Sequence, residues 1–490
     1  MTYTLRPYQI QAINDSRANI AAGTRKQVIV VPTGGGKTII GAEIFKAAVA
    51  KGSTVLFAVH RIELLNQTLN KLSDCGIVDV GVIKAGFDEN ASAQVQVASV
   101  PTLTKRLARH NMRKFKLAIF DEAHHARADT WQAIIDELDP TCAILGLTAT
   151  PYRADGKGLG TIFDAMVIPT TINELIDQGH LVPSRTFAGN IVDLSKVKIT
   201  GGDYNKKELE AIMSGRAIVG NVVDSWKKWG WGRQTIMFCP GVEHSKMLTQ
   251  KFIEIGVKAA HVDGYMQEDD RLSTINDFNA GRIQMICNYG VLTEGFDAPP
   301  VSLIGLLRPT KSRGLYRQMT GRGMRPWPGK TDLIILDHAN CVYMHGHVTD
   351  PDDYSLANGV RPGTGPQFQC PKCRATFIGW PKFCPGCGYQ LPRGERETCR
   401  VIENESIEMQ EITPDSVNKR IVYYNMLQQQ AMDQGMKPGY ADVRYKQRFG
   451  QWPNGMVLQN AIYQTRWTLN PIKGTREKVW AKQHRQPLNV

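Results

Sequence analysis

No apolar run in this 490-residue chain is long enough to span a bilayer, and the opening MTYTLRPYQ lacks the basic-then-apolar pattern of a signal peptide. The expectation is a soluble, cytoplasmic protein with no membrane partner. Cysteine is sparse: ten residues, six of them single at 75, 142, 239, 287, 341 and 399. That usage argues against a disulfide-stapled scaffold and suits a reducing compartment. Carboxylates are in deficit, 46 against 59 Lys/Arg, leaving a formal charge of +13. Such an excess suggests a polyanionic partner, though many basic proteins bind no nucleic acid. No nuclease constellation is evident, so any strand cleavage would need a partner.

The strongest signal present is the stretch 28–40, VIVVPTGGGKTII. Its β-branched run reads as a buried parallel strand, followed by a glycine turn and a helix reaching about Ala50. Thr33, Gly34, Gly35 and Gly36 would let backbone N–H groups close on a phosphate at the helix N-terminus. Lys37 would reach the β- and γ-phosphates, and the Thr38 hydroxyl would ligate Mg²⁺. The strict eight-residue form has glycine where this chain has Val31, so the loop alone also fits a simple tight turn. Just upstream, Arg6 and Gln9 fit either a purine edge or the solvated face of a helix carrying Ile10, Ile13 and Ile20.

Further apolar strands follow at 54–59, 80–83, 95–98, 117–120 and 143–147, separated by helical patterns. This alternation predicts a parallel α/β sheet, in which ligands bind beyond the carboxyl ends of the strands. Lys37, Asp121 and Thr148 each follow a strand, so one edge is expected to gather all three. Asp121 would hold Mg²⁺ opposite Thr38, and Glu122 would orient and deprotonate an attacking water. An acidic pair at a strand end is otherwise a helix N-cap.

From about Thr171 a helix, a turn and an extended crossing lead to helices near 206–214 and 219–229. The tryptophans Trp226, Trp229 and Trp231 read as packing of a helix end in preference to a base-stacking platform. A second α/β run then appears at 235–239, 258–262, 284–288, 302–307 and 332–337, without a second phosphate loop. Between its strands lie VLTEGFDAP and YRQMTGRGMR. Arg322 and Arg325, three apart and so expected on one helix face, would bring positive charge to developing γ-phosphate oxygens, against the alternative of a solvated basic patch.

Residues 346–369 read as a Gly/Pro/Asp-rich linker. Cys370, Cys373, Cys384 and Cys387 form two CxxC pairs with zinc-ribbon spacing, expected to hold a structural Zn²⁺. Residues 393–490 are expected to be a basic, mainly helical accessory region. Ten Lys/Arg stand there from Lys437 onward, among Tyr440, Tyr445, Trp452, Tyr463 and Trp467. That mixture suits either nucleic-acid contact or packing on the preceding domains.

Read together, LRPYQ, PTGGGKT, DEAH, TAT, TEGFDAP and QMTGRGMR resemble the motif series of the superfamily 2 DEAH-box helicases and translocases, over about residues 3–340. LRPYQ, GLTATP, GFDAP and the GRGMR–PGKTD run are most similar to RadD-type bacterial DNA-repair ATPases and phage-encoded relatives. The resemblance implies two tandem RecA-like parallel-sheet domains, at 1–170 and 171–345, followed by a zinc ribbon at 370–392 and a small helical C-terminal domain. It implies ATP in the cleft, with Gln9 reading adenine, Gly295 and Asp297 touching the nucleotide, and Gln318, Arg322 and Arg325 facing the γ-phosphate. His124, Thr148 and Thr150 would couple hydrolysis to lobe movement. His60, Arg61, Ser99, Thr102, Gly264 and Thr293 match nucleic-acid contacts.

The expected activity is an ATP-dependent helicase or translocase acting on single-stranded or branched DNA, in repair, recombination or phage replication. Its setting would be a bacterial cell or a phage-infected bacterium, with single-strand-binding or replication and repair proteins as further partners. An RNA helicase and an ATP-switched nucleic-acid scaffold are the alternatives.

Overall fold

The structure is a computed structural model that describes residues 4–350 except 61, 75, 78, 126–127, 151–157, 189–193, 195–196, 201–202, 294–295, 297 and 340. Beyond 350 it describes 354, 356, 367–369, 376–378, 409–412, 424, 427–428, 440–449, 463–469 and 476–482.

The first sheet is built from β1 (Lys26–Val30), β2 (Val55–Val59), β3 (Val80–Ile83), β4 (Val95–Ser99), β5 (Leu117–Asp121), β6 (Ala143–Thr148) and β7 (Ala165–Val167). Its order is β3-β4-β2-β5-β6-β1-β7, with every pairing parallel. β5, β6 and β1 are therefore neighbours, and the loops leaving their carboxyl ends converge. The helices α1 (Pro7–Ala21), α2 (Lys37–Ala50), α3 (Ile62–Asp74), α4 (Val100–Arg106) and α5 (Ala128–Glu137) belong to this unit.

The short α6 (Ile172–Asp177), opened by a Thr171–Glu174 capping box, leads to the second unit. Its sheet contains β8 (Ser184–Ala188), β11 (Thr235–Phe238), β12 (Ala259–Asp263), β13 (Met285–Tyr289), β14 (Leu303–Leu306) and β15 (Leu333–Asp337). A small hairpin of β9 (Ile199–Thr200) and β10 (Asp203–Tyr204) stands apart from it. The helices are α7 (Lys206–Met213), α8 (Arg216–Trp229), α9 (Val242–Glu254), α10 (Glu268–Asn279), α11 (Arg313–Gly321) and α12 (Cys341–His345).

Burial follows strand alternation. Val28 and Val30 pack in the core on one face of the first sheet, and Ile29 and Val31 in the core on the other. That second core continues without a break into Ile236, Phe238, Ile304 and Leu306 of the second unit, joined by Leu175, Leu181, Val182, Met319 and Met324. The two sheets thus share one hydrophobic interior beside the convergent loops. Trp226 is buried and donates from Nε1 to Thr235 Oγ1 at 3.0 Å, and Trp229 stacks on Phe187 at 4.1 Å. Packing accounts for both, while Trp231 is exposed.

Two expectations need correction. The second unit does not stop near residue 345: beyond a separate hairpin of β16 (Gln367–Gln369) and β17 (Thr376–Ile378), β18 (Gln410–Ile412) adds to its sheet antiparallel to β8. Arg185 fixes this edge with a bidentate pair to Glu411, at 3.0 and 2.9 Å. Nor is the tail mainly helical among its described residues. The helix Tyr440–Phe449 is accompanied by an antiparallel hairpin of Tyr463–Leu469 with Arg476–Lys482. The YQTRWTL run alternates at the strand period and is rich in β-branched and aromatic residues. Among the described residues, no helix is long and apolar enough to cross a membrane.

Candidate active site

The phosphate loop begins one residue later than the strict pattern requires. Val31 is fully buried and its N–H donates to Thr148 O at 2.9 Å, so it still belongs to the sheet. The turn starts at Pro32, whose carbonyl accepts from Gly35 N at 2.8 Å. Gly34 and Gly36 have φ of 88° and 82°, a region open to glycine at little steric cost. Gly36 caps α2, so Lys37 and Thr38 are its first residues. A Cβ on Gly36 would stand 2.4 Å from Gln9 Nε2.

Gln9 is buried against this loop. Its Oε1 accepts from Arg6 N at 2.9 Å, closing the start of α1. Tyr8, not among the residues expected at the site, donates from its hydroxyl to Gly35 O at 2.6 Å. Arg6 in turn donates to the Tyr8 hydroxyl at 3.2 Å. LRPYQ therefore braces the phosphate loop directly. The adjacency of an aromatic hydroxyl to Gln9 was the available signal.

The Lys37 ammonium lies between Asp121, at 3.3 Å, and Glu122, with which it makes a close ion pair. Burial pulls the Lys37 pKa down, but the two carboxylates outweigh it and hold the group above the ordinary lysine value. Asp121 is raised, first by its own burial, with Lys37 opposing and Glu122 adding to the rise. Glu122 has φ 52°, the one left-handed non-glycine backbone among the described residues. Such a conformation costs about 1–3 kcal/mol and turns the chain sharply after β5. Glu122 Oε2 is buried without a hydrogen-bond partner and lies 3.4 Å from His124 Nδ1.

His124 connects both units. Its Nδ1 lies 2.9 Å from Thr148 Oγ1, and its Nε2 lies 3.1 Å from Gln318 Nε2 on α11. The amide nitrogen of Gln318 can only donate, so His124 Nε2 accepts and the ring proton sits on Nδ1. Thr148 Oγ1 then accepts from His124 and from Thr150 N, and donates to Thr150 O at 2.9 Å. The bonds from Gln318 through His124 to Thr148 and the Thr150 backbone are mutually consistent, while Thr150 Oγ1 is buried without a hydrogen-bond partner.

Other residues of the second unit close on the loop. A Cβ on Gly321 would stand 2.6 Å from Thr33 Cβ, and one on Gly34 would meet Arg325 Cγ at 3.3 Å. Arg325 thus runs beside the phosphate loop. Arg322 does not share a helix face with it: α11 ends at Gly321, a single turn follows, and Arg325 is extended. Gly323, between the two arginines, favours the break in helical spacing. Arg322 is buried and donates to Thr293 O at 3.2 and 2.7 Å and to Phe296 O. Lys330, also unforeseen, donates to Arg325 O at 2.7 Å and Pro299 O at 3.1 Å.

Of the expected nucleic-acid positions, His60 follows β2, Ser99 ends β4, Thr102 lies in α4, Gly264 follows β12 and Thr293 follows β13. All lie towards the carboxyl edges of their sheets, although Thr293 itself is buried. Arg61, Gly295, Asp297, Cys370, Cys373, Cys384 and Cys387 lie outside the described residues. Among those described, no group of three or more His, Cys, Asp and Glu is placed to hold a metal.

Two family descriptions match this chain: "Type III restriction enzyme, res subunit" over residues 2–153 and "Helicase conserved C-terminal domain" over residues 221–326. A 51.5 kDa protein of a Lactococcus phage (isolate 7-9) is 34% identical over 384 residues, covering 77% of this chain and 81% of the phage protein. The chain belongs to the superfamily 2 helicases. A Saccharomyces cerevisiae protein provisionally named ATP-dependent helicase IRC3 is 32% identical, over 68% of this chain and 51% of its own length. The chain thus spans about half of that yeast protein. A Sulfurisphaera tokodaii protein named DNA 3'-5' translocase XPB2 is 28% identical, over 68% of this chain and 81% of its own. Among solved structures, a fragment assigned to the HsdR subunit of a type I restriction enzyme from Vibrio vulnificus YJ016 has the same fold, with TM-score 0.56 and 22% identity. It covers 71% of this chain and 67% of that fragment.

In this superfamily 2 helicase the two sheets form two RecA-like lobes. Lys37, Asp121, Glu122, His124, Thr148 and Thr150 come from the first, and Gln318 and Arg325 from the second. Thr38 and Asp121 offer the hard oxygen donors that Mg²⁺ prefers, beside a lysine suited to phosphate, and so fit a magnesium-bound nucleotide.

Proposed function

We propose that this chain is an ATP-driven DNA motor whose hydrolytic site is completed by contact between its lobes. The observation that carries the reading is the Gln318–His124 hydrogen bond, which joins the second lobe to the Lys37–Glu122 pair through one imidazole.

In this reading the γ-phosphate of ATP takes the place of the carboxylates around Lys37, freeing Glu122. Glu122 then orients the attacking water and accepts its proton through the oxygen that now lacks a partner. Thr38 and Asp121 would hold Mg²⁺, which supplies charge neutralisation at the phosphates. Arg325, already beside Gly34, supplies cationic charge from the second lobe. Gln9, buried against the loop, would read adenine. Arg322 braces the segment after β13, where Thr293, Gly295 and Asp297 lie in sequence, and reaches phosphate only by exchanging its carbonyl partners. The pairing of a DEAH sequence with Gln318 and Arg325 favours the DEAH-box and RadD-like assignment.

DNA is the proposed track, supported by the charge of +13 and by a relative named a DNA translocase. For the four clustered cysteines we propose a structural zinc. The strands Gln367–Gln369 and Thr376–Ile378 pair antiparallel, and the sequence joining them contains Cys370 and Cys373. Zinc there would tie the hairpin to Cys384 and Cys387.

The test is ATP hydrolysis measured with single-stranded DNA, duplex DNA and RNA. Stimulation chiefly by DNA is expected. Stimulation by RNA alone would replace the track, and none by any of the three would favour a nucleotide-switched scaffold.

A further inference from the structure

One side chain at the carboxyl edge of the second sheet is used neither by the nucleotide site nor by the core. Tyr265, two residues past β12, is 85% exposed, the most of any large apolar side chain among the described residues. Its backbone is nevertheless fixed from below. Asp263 Oδ1 accepts from the N–H of Tyr265 at 2.8 Å and of Met266 at 3.0 Å. Asp263 Oδ2 lies 2.9 Å from His261 Nε2, and His261 Nδ1 lies 2.7 Å from Ser245 Oγ. A Ser–His–Asp series invites comparison with a nucleophile triad, but Ser245 is fully buried on α9 and no substrate reaches it. The series acts as a brace for the turn.

We propose that Tyr265 is a base-stacking platform for single-stranded nucleic acid, held ready by the Ser245–His261–Asp263 brace. The inference rests on the DNA-motor reading. Strand register pairs Asp263 with Tyr289 at the end of β13, and Lys206 Nζ lies 6.0 Å from the Tyr289 ring centre. The turn therefore stands beside a second aromatic and a cation. Gly264 adds no bulk: a Cβ there would come no closer than 4.0 Å to Val291. Ligands of parallel sheets bind at this edge.

A lone ring among exposed Gly264, Gln267 and Glu268 offers too little apolar area for a stable protein interface, but one face is enough for one base. The acidic first turn of α10 (Glu268, Asp269, Asp270) complements its helix dipole and disfavours phosphate there. Attraction at this spot must come from stacking. A turn whose N–H groups are already bonded loses little freedom when a base lands on it.

The test uses the full chain and a fluorescein-labelled oligothymidylate, with affinity read by anisotropy over a salt series. Tyr265→Ala is expected to weaken binding about tenfold or more, and Tyr265→Phe to restore it, as stacking on one aromatic predicts. The salt slope should stay that of wild type, because no charge is removed. Trp231→Ala, which removes an exposed aromatic just before β11 at the opposite edge of the same sheet, should bind like wild type. The ring lies outside the core, so the alanine variant should melt with wild type; Tyr265→Ser provides a second replacement. Unchanged affinity in Tyr265→Ala, or equal losses in the alanine and phenylalanine variants, overturns the proposal while leaving the motor reading in place. Failure of the wild-type chain to bind any oligonucleotide defeats the motor reading as well.

Discussion

Gln318 donates to His124 Nε2 across the lobe boundary at 3.1 Å, and the other nitrogen of that imidazole, Nδ1, lies 2.9 Å from Thr148 Oγ1 and 3.4 Å from Glu122 Oε2. The bond is buried and links the two lobes beside Glu122. Gln318→Ala leaves His124 Nε2 without its donor, at a cost of about 1–3 kcal/mol. Nucleic-acid-stimulated turnover is expected to fall about 5- to 100-fold, with ATP affinity changed far less. Equal loss of affinity and turnover would place Gln318 in nucleotide binding instead.

Lys37 neutralises two buried carboxylates, so its removal should cost more than catalysis. Without nucleotide, Lys37→Ala is expected to lose about 3 kcal/mol of stability in denaturant unfolding, because it leaves the acidic pair uncompensated. The double variant Lys37→Met/Glu122→Gln should recover part of that loss. Additive losses would argue against the ion pair as a source of stability.

The arginines should separate. Arg325→Lys keeps the charge but loses the planar fork, and is expected to lower kcat by about tenfold or more with little change in nucleic-acid affinity. Arg322→Lys loosens the segment after β13, so the nucleic-acid concentration needed for half-stimulation should rise. Identical kinetic profiles for the two variants would restore the shared γ-phosphate role inferred from their spacing.

Much of this site was legible in the sequence because its parts sit where strong apolar strands stop. Val28–Val31, Leu117–Phe120 and Ala143–Leu147 are unbroken runs, and the polar residue after each is positioned by the sheet. Weak local signals were not legible. β7 and β18 have three residues each, and β18 pairs with a strand more than two hundred positions away, so no periodicity reveals it. The three-residue spacing of Arg322 and Arg325 suggests one helix face, but Gly323 lies between them and the helix has already ended at Gly321. The Tyr463–Leu469 strand lies in a tail expected to be mainly helical, although its side chains alternate at the strand period.

Lys330 offers a pH signature. Burial first, then Arg325 and Arg233, pull its pKa from 10.5 to about 7, with Asp332 opposing. Between those values the unfolded chain holds more protons than the folded one, so this group's contribution to stability rises with pH. The penalty is complete below pH 7 and relieved above it. Wild type is expected to gain stability relative to Lys330→Met between pH 7 and pH 9, measured by urea midpoints. Parallel profiles would show that Lys330 titrates normally.

The clustered cysteines make a claim on metal. Purified chain should carry one equivalent of zinc by elemental analysis, and Cys373→Ser should lose it while the motor lobes still hydrolyse ATP. Absence of zinc in protein purified under reducing conditions would remove the ribbon.

The central claim is that closure of the lobes around ATP moves DNA. Displacement of streptavidin from end-biotinylated single strands, and of a third strand from a triplex, measures this directly. Wild type should displace at least one of them with ATP, neither with a non-hydrolysable analogue, and Glu122→Gln should displace neither. DNA-stimulated hydrolysis without displacement of either block would contradict the account and leave the chain a switch.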